Sequence, residues 1–289
     1  MRLFLLTALA MTAFAANSVL NRMAVGPGLI DPLSFAVVRL LAGAGMLALL
    51  VAARAVLRGG PVWPGWGGRL TGVVGLLVYL FGFSMAYLAL DAGVGALILF
   101  GSVQVTMFAG AVILREAVPM RRWLGAGLAF GGLVVLMAPG AGAPPSALHG
   151  AAMALAGLGW GLYSLAGRKA GDALGSTAWN FLLSVPVALL VMLIVPVNPD
   201  AVAASARGLW LAVLSGAVTS GMGYALWYAL VPRLGAARAG VAQLTAPMIA
   251  AAGGAALIGE GVGLRFWLAA ALVLGGVALA SLQSGFARR

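Results

Sequence analysis

The residues that could do chemistry in this chain are few, and most of them sit inside apolar runs. Asn17 and Asn21 stand four apart, as do Tyr79 and Phe83, and Phe100 and Gln104. Trp160, Tyr163 and Ser164 share one helical face, and Ser220, Tyr224, Trp227 and Tyr228 share another. Amides, hydroxyls and aromatic faces at this spacing can hold a solute by hydrogen bonding and stacking. Arg39 is the basic residue deepest in such a run, seven residues past Pro32, or about 10 Å along a helix. A charge at that depth is costly and points to function, unless it snorkels outward or pairs with Asp31 or Asp91. Pro247 adds a backbone group: it lacks an N–H and so frees the carbonyl of Gln243 to line a cavity or kink a helix.

Conventional catalytic sets are missing from the sequence. There is no cysteine, hence no disulfide framework or thiolate metal site, and the single histidine, His149, excludes multi-histidine sites. His149 falls at a helix boundary with no evident Ser or Asp partner in sequence, which speaks against a membrane enzyme. No catalytic residue, metal or cofactor is therefore expected. The six acidic residues, Asp31, Asp91, Glu116, Asp172, Asp200 and Glu260, all fall at the ends of apolar runs or between them. Nothing that titrates near neutral pH is expected at mid-depth, so any transport would run downhill or be coupled through the solute itself.

The elements that position these residues follow from composition. With 63% hydrophobic and 8% charged residues, the chain cannot cover a soluble globule, whose charged fraction is about 25%. It belongs in a bilayer, as an all-α polytopic protein. At about 20 residues per crossing, ten runs qualify: 3–24, 32–53, 70–90, 92–114, 122–138, 149–167, 174–196, 208–230, 237–258 and 264–284. Gly26, Pro27 and Pro32 break the first connection, Gly59 to Gly68 the second, and Asp91 is placed to N-cap the fourth helix. Trp63 and Trp66 have the character of interfacial anchors. The N-terminus, with Arg2, an apolar run and Ala13-Phe14-Ala15, has features of a secretory signal. Retention is expected, since removal would leave nine helices and Asn17, Asn21 and Arg22 continue the segment as a helix face.

The second half echoes the first. Glu116, Arg121, Trp123, Leu124, Gly131 and Gly132 match Glu260, Arg265, Trp267, Leu268, Gly275 and Gly276 at a constant offset of 144 residues, half of 289. Such a period is too long for a solenoid and indicates two homologous halves, placed at 1–138 and 149–289 with a linker at 139–148. Gly127, Gly131 and Gly132, with Ala271, Gly275 and Gly276, put small residues on helix faces for close packing, while Glu116 and Glu260 are expected to brace helix connections. The net charge of +11 is scattered singly or in pairs, which is an orientation signal with no stripe for nucleic acid. With the N-terminus cytoplasmic, the inner side holds thirteen basic residues and the outer side three, Arg22, Arg207 and Arg265. Both termini are then inside, and five helices per half make the second half enter upside down. Inverted repeats of this kind bind solute near the midplane between halves. Arginine outnumbers lysine 16 to 1, since Lys169 is the one lysine among 17 basic residues, which suggests a GC-rich bacterial source.

The chain also resembles the drug/metabolite transporter superfamily, specifically its EamA branch. The resemblance rests on the glutamate after the fourth and ninth helices followed by a basic or aromatic stretch and a Gly-Gly helix. It rests also on Arg39 in LSFAVVRLLAGAGMLAL and on LGAARAGVAQLTAPMIAAAGGAALIGE before the ninth helix ends. One departure is Val103 in the first half where the second has Pro247. The resemblance implies a multi-pass bacterial inner-membrane exporter, and within the branch the YddG-type amino acid exporters are the natural comparison. A multidrug or other metabolite exporter of the same fold and a lipid scramblase are the alternatives. The solute expected is a small zwitterion or neutral metabolite with a bulky apolar side chain, bound among Asn17, Tyr79, Phe83, Phe100, Gln104, Trp160, Tyr163, Trp227 and Gln243. Its ammonium would meet aromatic faces and the Gln243 carbonyl, and its carboxylate Asn17, Gln104 or Arg39. A monomer in the lipid bilayer suffices for this reading.

Overall fold

The computed structural model describes residues 1–59, 62–115, 118–138, 145–167, 171–195 and 204–281. It is a bundle of helices: α1 (Arg2–Val25), α2 (Pro32–Arg58), α3 (Arg69–Ala86), α4 (Ala92–Ile113), α5 (Met120–Met137), α6 (Ala147–Gly167), α7 (Ala173–Ile194), α8 (Ala206–Leu214), a π-helical segment (Ser215–Met222), α9 (Gly223–Gln243), α10 (Thr245–Ile258) and α11 (Leu264–Ser281). Each of the ten expected spans has its helix. Among the described residues nine segments are long and apolar enough to cross a membrane. The tenth, α6, has the length, with 21 residues, but its sequence is rich in glycine. Large apolar side chains such as Leu9, Leu49, Leu158, Leu190 and Leu268 face outward, as a lipid-facing surface requires.

Helix starts follow from local chemistry. The Asp31 carboxylate accepts from Ser34 N, with Pro32 at the first position of α2. Asp172 accepts from Gly175 N at the head of α7, and Ser205 from Gly208 N at the head of α8. Helix α4 departs from expectation, because Asp91 makes no side-chain cap. Glu260 serves instead, accepting from Ala92 N at 2.8 Å. Its carboxylate reaches across from the far side of α10, which a local reading of the sequence could not find.

Two breaks follow one another here, one in the turn between the eighth and ninth crossings and one inside the ninth. Gly235 adopts φ 73, ψ 161 inside α9, a conformation that favours glycine. A second break falls at Leu244, so Pro247 lies in the first turn of α10, where its missing N–H costs no helical hydrogen bond. Helix α4 runs unbroken through Val103.

Close packing brings the functional residues together. Helix α3 lies chiefly on α6, α4 on α6, α2 on α7 and the π segment, α1 on α10 and the eighth crossing, and α5 on α11. At the α3–α6 contact a Cβ on Gly75 would stand 2.7 Å from the Gly159 carbonyl, and one on Gly159 would stand 2.6 Å from that of Gly75. Nothing larger than glycine fits, and that approach sets Tyr79 against Trp160. The α5–α11 contact uses part of the expected set, Gly132 and Gly276, together with Gly125. Gly127, Gly131 and Gly275 look into open space, whereas Gly125 and Gly132 meet α11, and Gly276 meets Gly125 and Ala129. Trp63 packs edge-on against Trp66 at 5.1 Å and Trp179 at 4.6 Å.

Candidate functional site

Arg39 lies at the centre of the bundle with no exposed surface. It neither snorkels nor pairs with a carboxylate: Asp31 caps α2 and Asp91 sits 3.7 Å from Arg22. Its Nη2 donates to the Tyr79 hydroxyl at 2.7 Å and its Nε to Ser220 Oγ at 3.2 Å. The guanidinium lies 4.9 Å from the ring centre of Phe83 and 5.2 Å from that of Tyr79, a geometry that offsets part of the cost of burying a cation. Nη1 has no hydrogen-bond partner.

The π segment supplies the polar wall beside Arg39. Its widened turn sets Ser215, Thr219 and Ser220 toward α1, and all three hydroxyls donate to Asn17 Oδ1, at 2.8, 2.7 and 3.2 Å. π-Helical turns inside α-helices recur at functional sites. Gly216 makes this one possible, since a Cβ there would collide with the Arg39 carbonyl and stand 2.8 Å from Ala42 Cβ. One turn further along α1, Asn21 is fully buried and its Nδ2 donates to Ser84 Oγ at 3.0 Å. Its Oδ1 has no partner.

An aromatic cluster encloses the other side. Trp160 stacks on Tyr163 with ring centres 5.1 Å apart and 16° between planes, and it touches Tyr79 at 5.0 Å and Tyr224 at 5.1 Å. Tyr79 leans on Phe83 at 5.2 Å. Phe14 links Tyr224 to Trp227 at 5.7 and 5.6 Å. Of the expected residues, Asn17, Arg39, Tyr79, Phe83, Trp160 and Tyr163 are thus brought together, with Trp227 one ring removed. Phe100 is buried on α4 in the same apolar core as these rings, while Gln104 is half-buried on the same helix and Gln243 ends α9 at the break. Ser215, Thr219, Phe14 and Phe181 join the site unforeseen. Their residue types are ordinary, and only the π register and the packing of α1 and α7 place them.

Both ends of the bundle are fastened. At the end carrying the α1–α2 connection, Arg22 donates to Glu260 Oε1 at 2.9 Å and to the carbonyls of Tyr87 and Leu88. Glu260 is the brace the sequence suggested, tying α1, α4 and α10; Glu116 lies outside the described residues. At the other end Arg54 grips Asp172 through two bonds of 2.7 and 2.6 Å, which hold that carboxyl below the usual carboxylate range. Arg69 is buried there as well, satisfied by the Ser176 carbonyl, Ser176 Oγ and Asn180 Oδ1 at 2.6 to 2.8 Å. His149 does have a serine neighbour, Ser146 Oγ at 2.7 Å, in the first turn of α6. A cavity of about 440 Å³ opens at the Arg22 end among Asp91, Val94, Ser146, Glu260, Arg265 and Phe266. None of the expected solute-binding residues lines it. The central rings are in contact with one another.

The sequence model of the EamA-like transporter family matches residues 150–282. An uncharacterized protein of Pseudomonas aeruginosa is 46% identical over 279 residues, covering 96% of this chain and 94% of that protein. A crystal structure of a protein 21% identical aligns with a TM-score of 0.65 over 96% of each chain; at that identity the likeness is one of fold.

Proposed function

The chain belongs to the EamA-like transporter family, and from that premise we propose that it exports small metabolites, above all amino acids with bulky apolar or aromatic side chains, by alternating access around its centre. The observation that carries this reading is the aromatic cluster around Arg39, contributed by helices from both halves of the chain. Rings of Tyr79, Trp160, Tyr163 and Tyr224 offer flat apolar faces, which suit an aromatic or branched side chain. Stacking discriminates weakly, at about 0.5 to 1.5 kcal/mol per ring pair, so broad specificity and modest affinity go with the reading, and modest affinity suits a protein that must release its load.

The halves proposed are residues 1–138 and 149–289, inverted relative to one another. Helix neighbours support this: exchanging each helix with its counterpart turns the α3–α6 contact into that of α1 with the eighth crossing, and α4–α6 into α1–α10, and leaves α2–α7, α4–α10 and α5–α11 unchanged. The count of basic residues supports cytoplasmic termini in a bacterial inner membrane. The test is counterflow in proteoliposomes loaded with amino acids, nucleosides or cationic drugs. We expect saturable, mutually competing exchange of apolar amino acids, reduced at least tenfold by Trp160→Ala or Tyr163→Ala. Movement of lipophilic cations without any amino acid, or of lipids without saturation, would replace this reading.

A further inference from the structure

Two buried side-chain atoms at the centre of the bundle lack partners, and they have opposite character. One is a donor on a permanent cation, Arg39 Nη1, and the other is an acceptor, Asn21 Oδ1. Both side chains are fully buried, and both are tethered to adjoining residues of α3: the Arg39 guanidinium lies over Phe83, and the Asn21 amide meets Ser84. Leaving either atom unsatisfied is costly, most of all for a charged group. The other polar groups nearby are already committed. Asn17 Oδ1 accepts three hydroxyls, Arg39 Nη2 is held by Tyr79, and Nε by Ser220. The four described carboxylates sit at helix ends, three of them in contact with Arg22 or Arg54.

Resting on the transport reading above, we propose that these two atoms form a zwitterion site, in which Arg39 Nη1 takes the carboxylate of an α-amino acid and Asn21 Oδ1 takes its ammonium. An anion answers the unpaired guanidinium, and an ammonium answers the unpaired carbonyl oxygen. The aromatic cluster across Tyr79 then receives the side chain. This assigns the ammonium to α1 and α3, with no role for the Gln243 carbonyl, and requires both charged ends of the solute to be present.

The experiment compares phenylalanine with phenylalaninamide, which lacks the carboxylate, and with 3-phenylpropionate, which lacks the ammonium, in counterflow and in ligand-induced thermal stabilisation. Wild-type protein should favour phenylalanine over each analogue by about tenfold or more, since one charged hydrogen bond is lost in each. Asn21→Ala should erase the preference over 3-phenylpropionate while keeping the preference over the amide, and Arg39→Lys should keep both at lower affinity. If Asn21→Ala does not fold, the wild-type comparison still decides. Equal handling of the acid and the amide, or of phenylalanine and its deaminated form, overturns this site while leaving amino acid transport intact. Equal stabilisation by chloride or inorganic phosphate also overturns it, as does stability that follows anionic lipid content and ignores phenylalanine. Wild-type protein that moves no amino acid at all overturns the transport reading and this site with it.

Discussion

Arg39, Arg69 and Arg54 are buried to different depths, and each is reconciled with its surroundings differently. Arg69 is satisfied by neutral oxygens, Arg54 by a carboxylate, and Arg39 only in part. That Arg39 would be buried was legible, since a lone charge inside an apolar run has few places to go. That its partners are Tyr79, 40 residues away, and Ser220, 181 residues away, was not legible, because such pairs are made by packing between helices distant in sequence. The same holds for Arg22 and Glu260, 238 residues apart. The Arg54–Asp172 pair carries a pH consequence. A carboxyl whose folded pKa lies below its unfolded value adds stability above the unfolded value, and that stability is lost as pH falls through the folded pKa. Asp172 is such a group. Wild-type protein should therefore lose stability as pH drops below about 4, by on the order of 1 kcal/mol for a partly exposed pair. Asp172→Asn should be less stable than wild type at pH 7 by a similar amount and converge with it at low pH. Thermal melts in detergent from pH 7 to pH 3 measure this, and parallel curves would show that the pair contributes nothing.

Helix number and approximate ends were readable because apolar run length is a strong signal in a membrane protein. Helix interiors were less so. The π register of Ser215–Met222 and the break at Leu244 depend on what packs alongside, and a sequence of small residues such as SGAVTSGM is compatible with either register. The glycine faces show how fine the margin is. A Gly-Gly pair signals close packing but not which of its two members makes it, and in α5 Gly132, with Gly125, carries it. Larger side chains should therefore separate the positions. Gly125→Val and Gly276→Val intrude on the facing backbone and should destabilise by about 1 to 3 kcal/mol. Gly127→Val and Gly275→Val enter open space and should leave the melting temperature and the size-exclusion profile close to wild type. Equal damage at all four positions would mean that helix propensity, not packing, sets the effect.

At the scale of the molecule, both ends are fastened, and on the alternating-access reading proposed above one fastening opens at a time. Arg22 with Glu260 and Asp91 closes one end, and Arg54 with Asp172 closes the other. In many carriers a buried carboxylate that gains and loses a proton drives that exchange. Here the four described acidic residues, Asp31, Asp91, Asp172 and Glu260, all lie at helix ends, and three of them face an arginine. Glu116 and Asp200 lie outside the described residues, in stretches the sequence places between spans. Arg39, the charge at the centre, does not release a proton in a protein. A proton gradient then has no described group through which to act. Nor does the membrane potential act on a solute with no net charge. On the export reading proposed above, the driving force expected is the solute's own gradient. In proteoliposomes, an imposed pH gradient of two units should not produce uphill accumulation of a neutral amino acid, and initial rates of downhill efflux should be nearly independent of that gradient. Accumulation above the outside concentration that collapses with a protonophore would require a proton carrier outside the described residues, and Glu116 would then be the first residue to replace with glutamine.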